Sequence, residues 1–178
     1  MSRPITIQTA DGAMDAHVFV PDGATGPLPA VVLFTDIGGL RPCYFDKAQT
    51  VADDGYTVLM PNIYYRDAAG AVVPEGKSFR DEDVRPTLFE YAARLTPEAQ
   101  ASDFDALVDT LDAEAEFASG PIGVVGYCMG GGYALLLALA SGEIKGAVAF
   151  YGRNPKPLEA VAQIQCPILY LYGEKDSF

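Results

Sequence analysis

Short apolar runs alternate with helical segments along this chain, and that alternation constrains its fold more than any other feature. Five such runs are typical of strands buried on both faces of a sheet, and they cover residues 30–34, 56–60, 123–127, 145–150 and 167–172. Helical segments are predicted between them, over residues 42–54, from Thr96 onwards and over residues 129–141. The alternation predicts one α/β domain over residues 1–178, with a mainly parallel sheet and ligands at the carboxyl ends of its strands.

A hairpin and an acidic amphipathic helix complete the predicted elements. Residues 5–9 and 14–20 flank Asp11-Gly12, a strong hairpin turn signal. Thr96 as N-cap and Pro97 at the first position favour a helix start. The apolar stripe that follows is Phe104, Leu107, Val108, Leu111, Ala115 and Ala118, and the acidic face is Asp103, Asp105, Asp109, Asp112, Glu114 and Glu116. We expect that face to be solvated rather than to bind a partner or a cation.

Charge and composition exclude several classes of protein. Twelve basic and 24 acidic residues give a net charge of −12, which argues against binding nucleic acid or an anionic membrane surface. The N-terminus lacks the apolar core of a signal peptide, so we expect a cytoplasmic protein. One histidine, three cysteines and no C-x-x-C argue against a multi-histidine metal centre, a zinc motif and a disulfide framework.

The sharpest motif is Gly126-Tyr127-Cys128-Met129-Gly130, at the junction of a predicted strand and helix. It has the form of the nucleophile elbow G-x-S-x-G, with cysteine as the nucleophile. We expect a tight turn that admits no Cβ at Gly126 or Gly130, and a helix N-terminus that lowers the pKa of Cys128. The alternative is a structural cysteine beside a glycine-rich helix contact. Cys43 and Cys166 lie in no motif and are expected to be ordinary core or surface thiols.

With this elbow, three further segments give the chain a resemblance to the dienelactone hydrolase family of α/β-hydrolases. The segment after the first buried strand is Phe34-Thr35-Asp36-Ile37-Gly38-Gly39-Leu40. The second strand and its exit run from Asp54-Gly55-Tyr56 to Tyr64-Tyr65-Arg66, and the last segment is Leu171-Tyr172-Gly173-Glu174-Lys175-Asp176. The resemblance covers essentially the whole chain. It implies a mainly parallel sheet with helices on both faces.

The resemblance also implies roles for individual residues. Cys128 corresponds to the nucleophile, and Asp176 to the acid that orients a triad histidine. The N–H groups of Ile37 and Met129 correspond to the oxyanion hole. Asp36 stands where many members have a glutamate that contacts the resting cysteine; a carboxylate bonded to nearby backbone is the alternative. Arg85 falls near the arginine that holds a substrate carboxylate, with an ordinary surface arginine as the alternative.

The chain departs from the family pattern at its histidine. In this superfamily the histidine follows the acid, whereas this sequence has two residues after Asp176. We therefore expect a truncated chain that lacks the last strand, the last helix and the histidine. His17 is expected to be a solvent-facing strand residue on the same face as Asp15 rather than a substitute base.

These observations predict a hydrolase that cleaves a small lactone or ester through Cys128, without a metal or organic cofactor. The expected partner is a small-molecule substrate, and the intact protein is expected to be a monomer. The first alternative is a catalytically inactive remnant or binding scaffold. The second is a thiol redox protein, which has no resolving cysteine near Cys128 in the sequence.

Overall fold

A single twisted sheet of seven strands forms the centre of the molecule. The structure, a computed structural model, describes residues 2–176. The strands are β1 (Arg3–Thr9), β2 (Gly12–Phe19), β3 (Leu28–Phe34), β4 (Thr57–Pro61), β5 (Phe117–Tyr127), β6 (Ile144–Phe150) and β7 (Ile168–Leu171). Their order in the sheet is β1-β2-β4-β3-β5-β6-β7. The β1–β2 and β2–β4 pairs are antiparallel, and β4, β3, β5, β6 and β7 are parallel. The predicted hairpin and parallel sheet are confirmed.

Four α-helices accompany the sheet: α1 (Pro42–Asp53), α2 (Arg85–Ala93), α3 (Pro97–Ala113) and α4 (Met129–Ala140). A 3₁₀ helix covers Leu158–Gln163. Because side chains alternate along a strand, β3 contributes to two cores. Val32 and Phe34 belong to the core that includes Phe104 of α3 and Tyr133 of α4, whereas Leu33 packs in the core that includes Tyr44 of α1. Helices therefore cover both faces of the sheet, as expected.

Two local predictions were wrong, and one helix was missed. Helix α3 ends at Ala113, so Ala115 and Ala118 are not on its apolar stripe. The segment after it turns into the long strand β5, whose Phe117 is buried. Helix α2 was not predicted; Leu88 is its one buried residue, so no apolar stripe marks it in the sequence.

The second wrong prediction concerns Asp103, which is buried rather than solvated. Its two carboxylate oxygens accept hydrogen bonds of 2.8 Å each from Arg66, and one of them also accepts a bond of 2.9 Å from the hydroxyl of Tyr65. Arg66 also pairs with Asp11 in the turn between β1 and β2. This network ties α3 and the hairpin to the segment after β4. Within residues 2–176, no helix is both long and apolar enough to cross a membrane.

Candidate active site

Cys128 lies at the carboxyl end of the central strand β5, between that strand and α4. Its backbone adopts φ 55° and ψ −117°. A positive φ is strained for a residue with a side chain and persists only where the surroundings enforce it. The neighbouring strand helps to enforce it, because the Cys128 N–H donates a 2.9 Å hydrogen bond to the carbonyl of Phe150 at the end of β6. The strand–turn–helix geometry predicted for a nucleophile elbow is present.

Close backbone contacts explain the glycines around Cys128. A Cβ on Gly126 would lie 1.8 Å from the Gly130 carbonyl oxygen, and a Cβ on Gly130 would lie 2.2 Å from that of Thr35. A Cβ on Gly131 would lie 2.9 Å from the Cα of Gly152. The turn is therefore packed backbone to backbone against the loops after β3 and β6, as the sequence predicted for Gly126 and Gly130.

The loop after β3 carries Ile37, the other residue expected to donate to an oxyanion. Asp36 shapes this loop: its carbonyl accepts from the Gly39 N–H at 3.1 Å, and its carboxylate accepts from the Gly38 N–H at 2.8 Å. The hydroxyl of Tyr64 donates to the Ile37 carbonyl at 2.9 Å and lies 3.9 Å from the sulfur of Met129. Tyr64 therefore links the two residues whose N–H groups are expected to form the oxyanion hole.

The carboxylate of Asp36 is held by Arg41 as well as by backbone. Two hydrogen bonds of 2.5 Å join the guanidinium to the two carboxylate oxygens. Burial alone would raise the pKa of Asp36, but the hydrogen bonds and charge of Arg41, together with the Gly38 N–H, lower it overall. Asp36 is thus an ionised group that organises its own loop. Its contact with the Gly38 N–H matches the alternative interpretation, a carboxylate bonded to nearby backbone. Asp36 affects Cys128 through its negative charge.

The pKa of Cys128 is raised overall, although the helix N-terminus acts in the expected direction through the Met129 N–H. Burial raises the pKa of this thiol, and the negative charges of Asp36 and Asp176 raise it further. A hydrogen bond from the Met129 N–H and the positive charge of Arg153 act in the opposite direction and are outweighed. These influences together favour the protonated form of the thiol.

Asp176 and Arg153 are both close enough to Cys128 for their charges to affect it. Asp176 follows β7, and its N–H donates to the carbonyl of Gly173 at 3.0 Å. Arg153 was missed by the sequence reasoning, because it lies in a loop of no recognised motif after β6. Tyr151, two residues before Arg153, has φ 43° and is 46% exposed. Burial and the charges of Asp36 and Cys128 raise the pKa of its hydroxyl.

A recess of about 360 Å³ opens beside the loop after β3. It is lined by Gly38, Arg41, Val73, Lys77, Ser78, Phe79 and Arg80. Arg85, the predicted carboxylate-binding residue, is exposed at the start of α2 and is not part of this lining. Three cations thus line a recess in an acidic protein, but two of them have carboxylate partners: Arg41 binds Asp36, and Lys77 binds Asp83 at 2.8 Å.

His17 occupies a position far from Cys128 and differs from its prediction. Its ring packs 4.7 Å from that of Phe45, and its Nδ1 atom is buried without a hydrogen-bond partner in the described part of the chain. Burial lowers the pKa of His17, against the charge of Asp15. Three strand spacings separate β2 from β5, or about 14 Å, so the imidazole does not reach the elbow. Residues 2–176 contain no group of three or more side chains suited to hold a metal ion.

Known proteins are similar to this chain in sequence and in fold. The sequence profile described as the dienelactone hydrolase family matches residues 14–178. Carboxymethylenebutenolidases of Pseudomonas putida and Pseudomonas knackmussii are each 30% identical over 182 residues, which cover the whole of this chain and 73% of theirs. A crystal structure from Klebsiella pneumoniae, provisionally designated a dienelactone hydrolase, aligns with a TM-score of 0.83 at 26% identity, over 99% of this chain and 74% of that one.

The fold and the site define an α/β-hydrolase. The chain belongs to the dienelactone hydrolase family. It is accordingly a hydrolase, as the sequence predicted.

Proposed function

We propose that this hydrolase cleaves small lactones or esters through the thiol of Cys128. The observation that carries the proposal is the strained turn at Cys128. Its φ of 55° is enforced by glycines at positions 126 and 130 that leave no room for a Cβ. Strain of this kind is concentrated at functional sites, and a structural cysteine would not need it. The names of the carboxymethylenebutenolidase relatives support a lactone as the substrate class.

In the proposed reaction, the Cys128 thiolate attacks the carbonyl carbon of the substrate. The carbonyl oxygen becomes an oxyanion that the N–H groups of Ile37 and Met129 stabilise. The carbon–oxygen bond of the ester then breaks, the leaving alkoxide takes a proton from water, and a thioester remains on Cys128. Water then hydrolyses the thioester.

The raised pKa of Cys128 determines how this chemistry depends on pH. Only the thiolate attacks, so the rate of acylation rises with pH through the raised pKa. The one histidine of the sequence lies three strands from the elbow and does not serve as the base. In an enzyme with a complete triad, Asp176 would orient the histidine that removes this proton.

A carboxylate-bearing substrate fits the cations of the recess. Arg80 is exposed at its rim, and Lys77 and Arg41 line it as well. Because Arg41 and Lys77 are paired with Asp36 and Asp83, it is the positive charge of Arg80 that locally opposes the long-range repulsion of anions by a protein of net charge −12. We propose Arg80 for this contact ahead of Arg85, which lies outside the recess; the substitutions Arg80→Gln and Arg85→Gln distinguish them through KM for an anionic ester.

The experiment that tests the function uses p-nitrophenyl acetate and mass spectrometry. We expect release of p-nitrophenolate together with one acetyl group on the peptide that contains Cys128. Cys128→Ala should abolish that release, whereas the matched control Cys43→Ala, at an exposed thiol, should retain it. Equal release by Cys128→Ala and the unaltered protein would show that Cys128 is not the nucleophile.

A second candidate function is a binding scaffold whose Cys128 is acylated once without turnover. Two observations favour it: His17 lies three strands from the elbow, and the pKa of Cys128 is raised. The same experiment separates the two functions. A catalyst releases many equivalents of p-nitrophenolate per Cys128, and a scaffold at most one.

A further inference from the structure

We propose that Tyr64 is a positioning residue that holds the oxyanion loop, residues 36–39, in the conformation that presents the Ile37 N–H to the substrate. The inference rests on the proposed function of Cys128 and goes beyond it. Tyr64 lies in the segment after β4, in neither of the two loops that carry the expected oxyanion donors.

The side chain of Tyr64 reaches both halves of the expected oxyanion hole. Its hydroxyl donates to the Ile37 carbonyl at 2.9 Å and lies 3.9 Å from the Met129 sulfur. Its ring also supports the loop, because a Cβ added to Gly39 would lie 3.4 Å from a Tyr64 ring carbon. One rigid side chain therefore spans the space between the loop after β3 and the elbow.

The peptide unit between Ile37 and Gly38 is fixed at both ends. Tyr64 binds its carbonyl oxygen at 2.9 Å, and the carboxylate of Asp36 binds its N–H at 2.8 Å. Fixing this peptide plane restricts rotation about the Cα–C bond of Ile37. The preceding peptide unit carries the Ile37 N–H, and it is held through its Asp36 carbonyl, which accepts from the Gly39 N–H at 3.1 Å. The two held planes together restrict the direction of the Ile37 N–H. A donor prealigned in this way stabilises a developing oxyanion without the cost of reorganising.

Tyr64 is itself held in place and shielded from solvent. Its side chain is fully buried, and its N–H donates to the Asn62 side-chain oxygen at 3.0 Å. Asn62 in turn donates to Asp15 and to the Ala68 carbonyl, each at 2.8 Å. Burial raises the pKa of Tyr64 well above its usual range, so the hydroxyl keeps its proton and remains a donor. Because the Tyr64 side chain is buried, removal of its hydroxyl leaves the Ile37 carbonyl without this partner.

Two reactions of the Cys128 thiol distinguish a positioning role of Tyr64 from a general loss of structure at the site. Acylation by p-nitrophenyl acetate passes through an oxyanion, whereas alkylation by iodoacetamide displaces iodide at a saturated carbon and forms none. We expect Tyr64→Phe to slow acylation of Cys128 at least about tenfold while alkylation stays within about twofold. Both rates are read by mass spectrometry on the Cys128 peptide, in single-turnover experiments at one pH.

Tyr65→Phe is the matched control. It removes a hydroxyl from the adjacent residue that bonds to Thr9 and Asp103 and not to the oxyanion loop. We expect it to leave the ratio of the two rates unchanged. If Tyr64→Phe is only partly folded, all variants are compared with trimethylamine N-oxide, which stabilises compact states.

The outcomes distinguish this inference from the proposed function. Normal acylation of Tyr64→Phe, with Cys128 acylated in the unaltered protein, overturns the role of Tyr64 and leaves the function intact. Equal loss of both reactions in Tyr64→Phe also overturns that role, since it shows damage to the nucleophile. An unaltered protein whose Cys128 alkylates but never acylates overturns the proposed function, and the role of Tyr64 with it.

Discussion

The carbonyl oxygen of Gly130 occupies the space that a side chain on Gly126 would need, 1.8 Å from the position of its Cβ. These two residues bracket Cys128, so the tightness of the turn is a contact between backbone atoms that no rotamer change can relieve. The shape of the elbow is therefore fixed by main-chain packing.

Gly126→Ala should lower the free energy of unfolding by at least about 3 kcal/mol, because backbone must move to admit the methyl group. Urea unfolding of the purified protein measures the change. Gly146→Ala is the matched control on the neighbouring strand, where an added Cβ meets nothing within 4 Å. Equal stability of the two variants would contradict the packing argument.

Asp103→Ala should lower the free energy of unfolding by about 2–4 kcal/mol, since it leaves Arg66 and Tyr65 without a buried acceptor. The control is Asp105→Ala, two residues away on an exposed face of α3, which should change stability little. Thermal unfolding followed by circular dichroism gives both values. A solvated Asp103, as the sequence suggested, would make the two variants alike.

Asp36→Asn should destabilise the protein by roughly 1–2 kcal/mol at neutral pH, because the bond to Arg41 loses its charge. The pKa of Asp36 is lower in the folded than in the unfolded protein, so its contribution is complete above pH 4 or so. It is lost as the pH falls through the folded pKa.

Unfolding curves for Asp36→Asn and the unaltered protein should therefore converge as the solution becomes more acidic than about pH 4. Asp46→Asn, at an exposed carboxylate of α1, serves as the control and should show no such convergence. A stability difference that stayed constant into acid would argue against an ionised Asp36.

Asp176→Asn and Arg153→Gln should shift the pKa of Cys128 in opposite directions. Asp176 raises this pKa by its negative charge and Arg153 lowers it, so the first variant should alkylate faster at pH 7.5 and the second slower, each by about twofold. The measurement is the pH profile of iodoacetamide alkylation, read on the Cys128 peptide. The unaltered protein should give an inflection above the usual thiol value of about 8.5. Salt should shrink both shifts, and shifts of the same sign would refute the electrostatic account.

Sequence reasoning found those parts of the molecule whose burial follows a simple period. The strands of the parallel sheet read as apolar runs because both of their faces are covered, and the elbow glycines follow from the steric demands of its turn. Helix α2 was not predicted, because a helix that buries Leu88 alone has no apolar stripe in its sequence. Asp103 was misplaced because its partner Arg66 lies 37 residues away in the sequence.

The electrostatics of the candidate site were the least accessible to sequence reasoning. A helix N-terminus lowers the pKa of a thiol in isolation, but the burial of Cys128 and the carboxylates near it depend on loops from β3 and β7. Arg153 and Tyr64 belong to other loops, and only the folded sheet brings them to the elbow. Tyr64 lay within a segment that carried the family resemblance, but no residue pattern pointed to its hydroxyl.

Val73 lines the recess and also belongs to a small apolar cluster, which has a consequence for how substrate preference can diverge. Val73, Val84 and Leu88 are buried in it, and the side chain of Ile37 packs against it. Replacing Val73 to reshape the recess therefore also disturbs the packing of Ile37, the residue expected to bind the oxyanion. The rim residues 77–80 are exposed and carry no such constraint. New specificities should thus be gained at the rim without loss of turnover, whereas changes at Val73 alter rate and selectivity together.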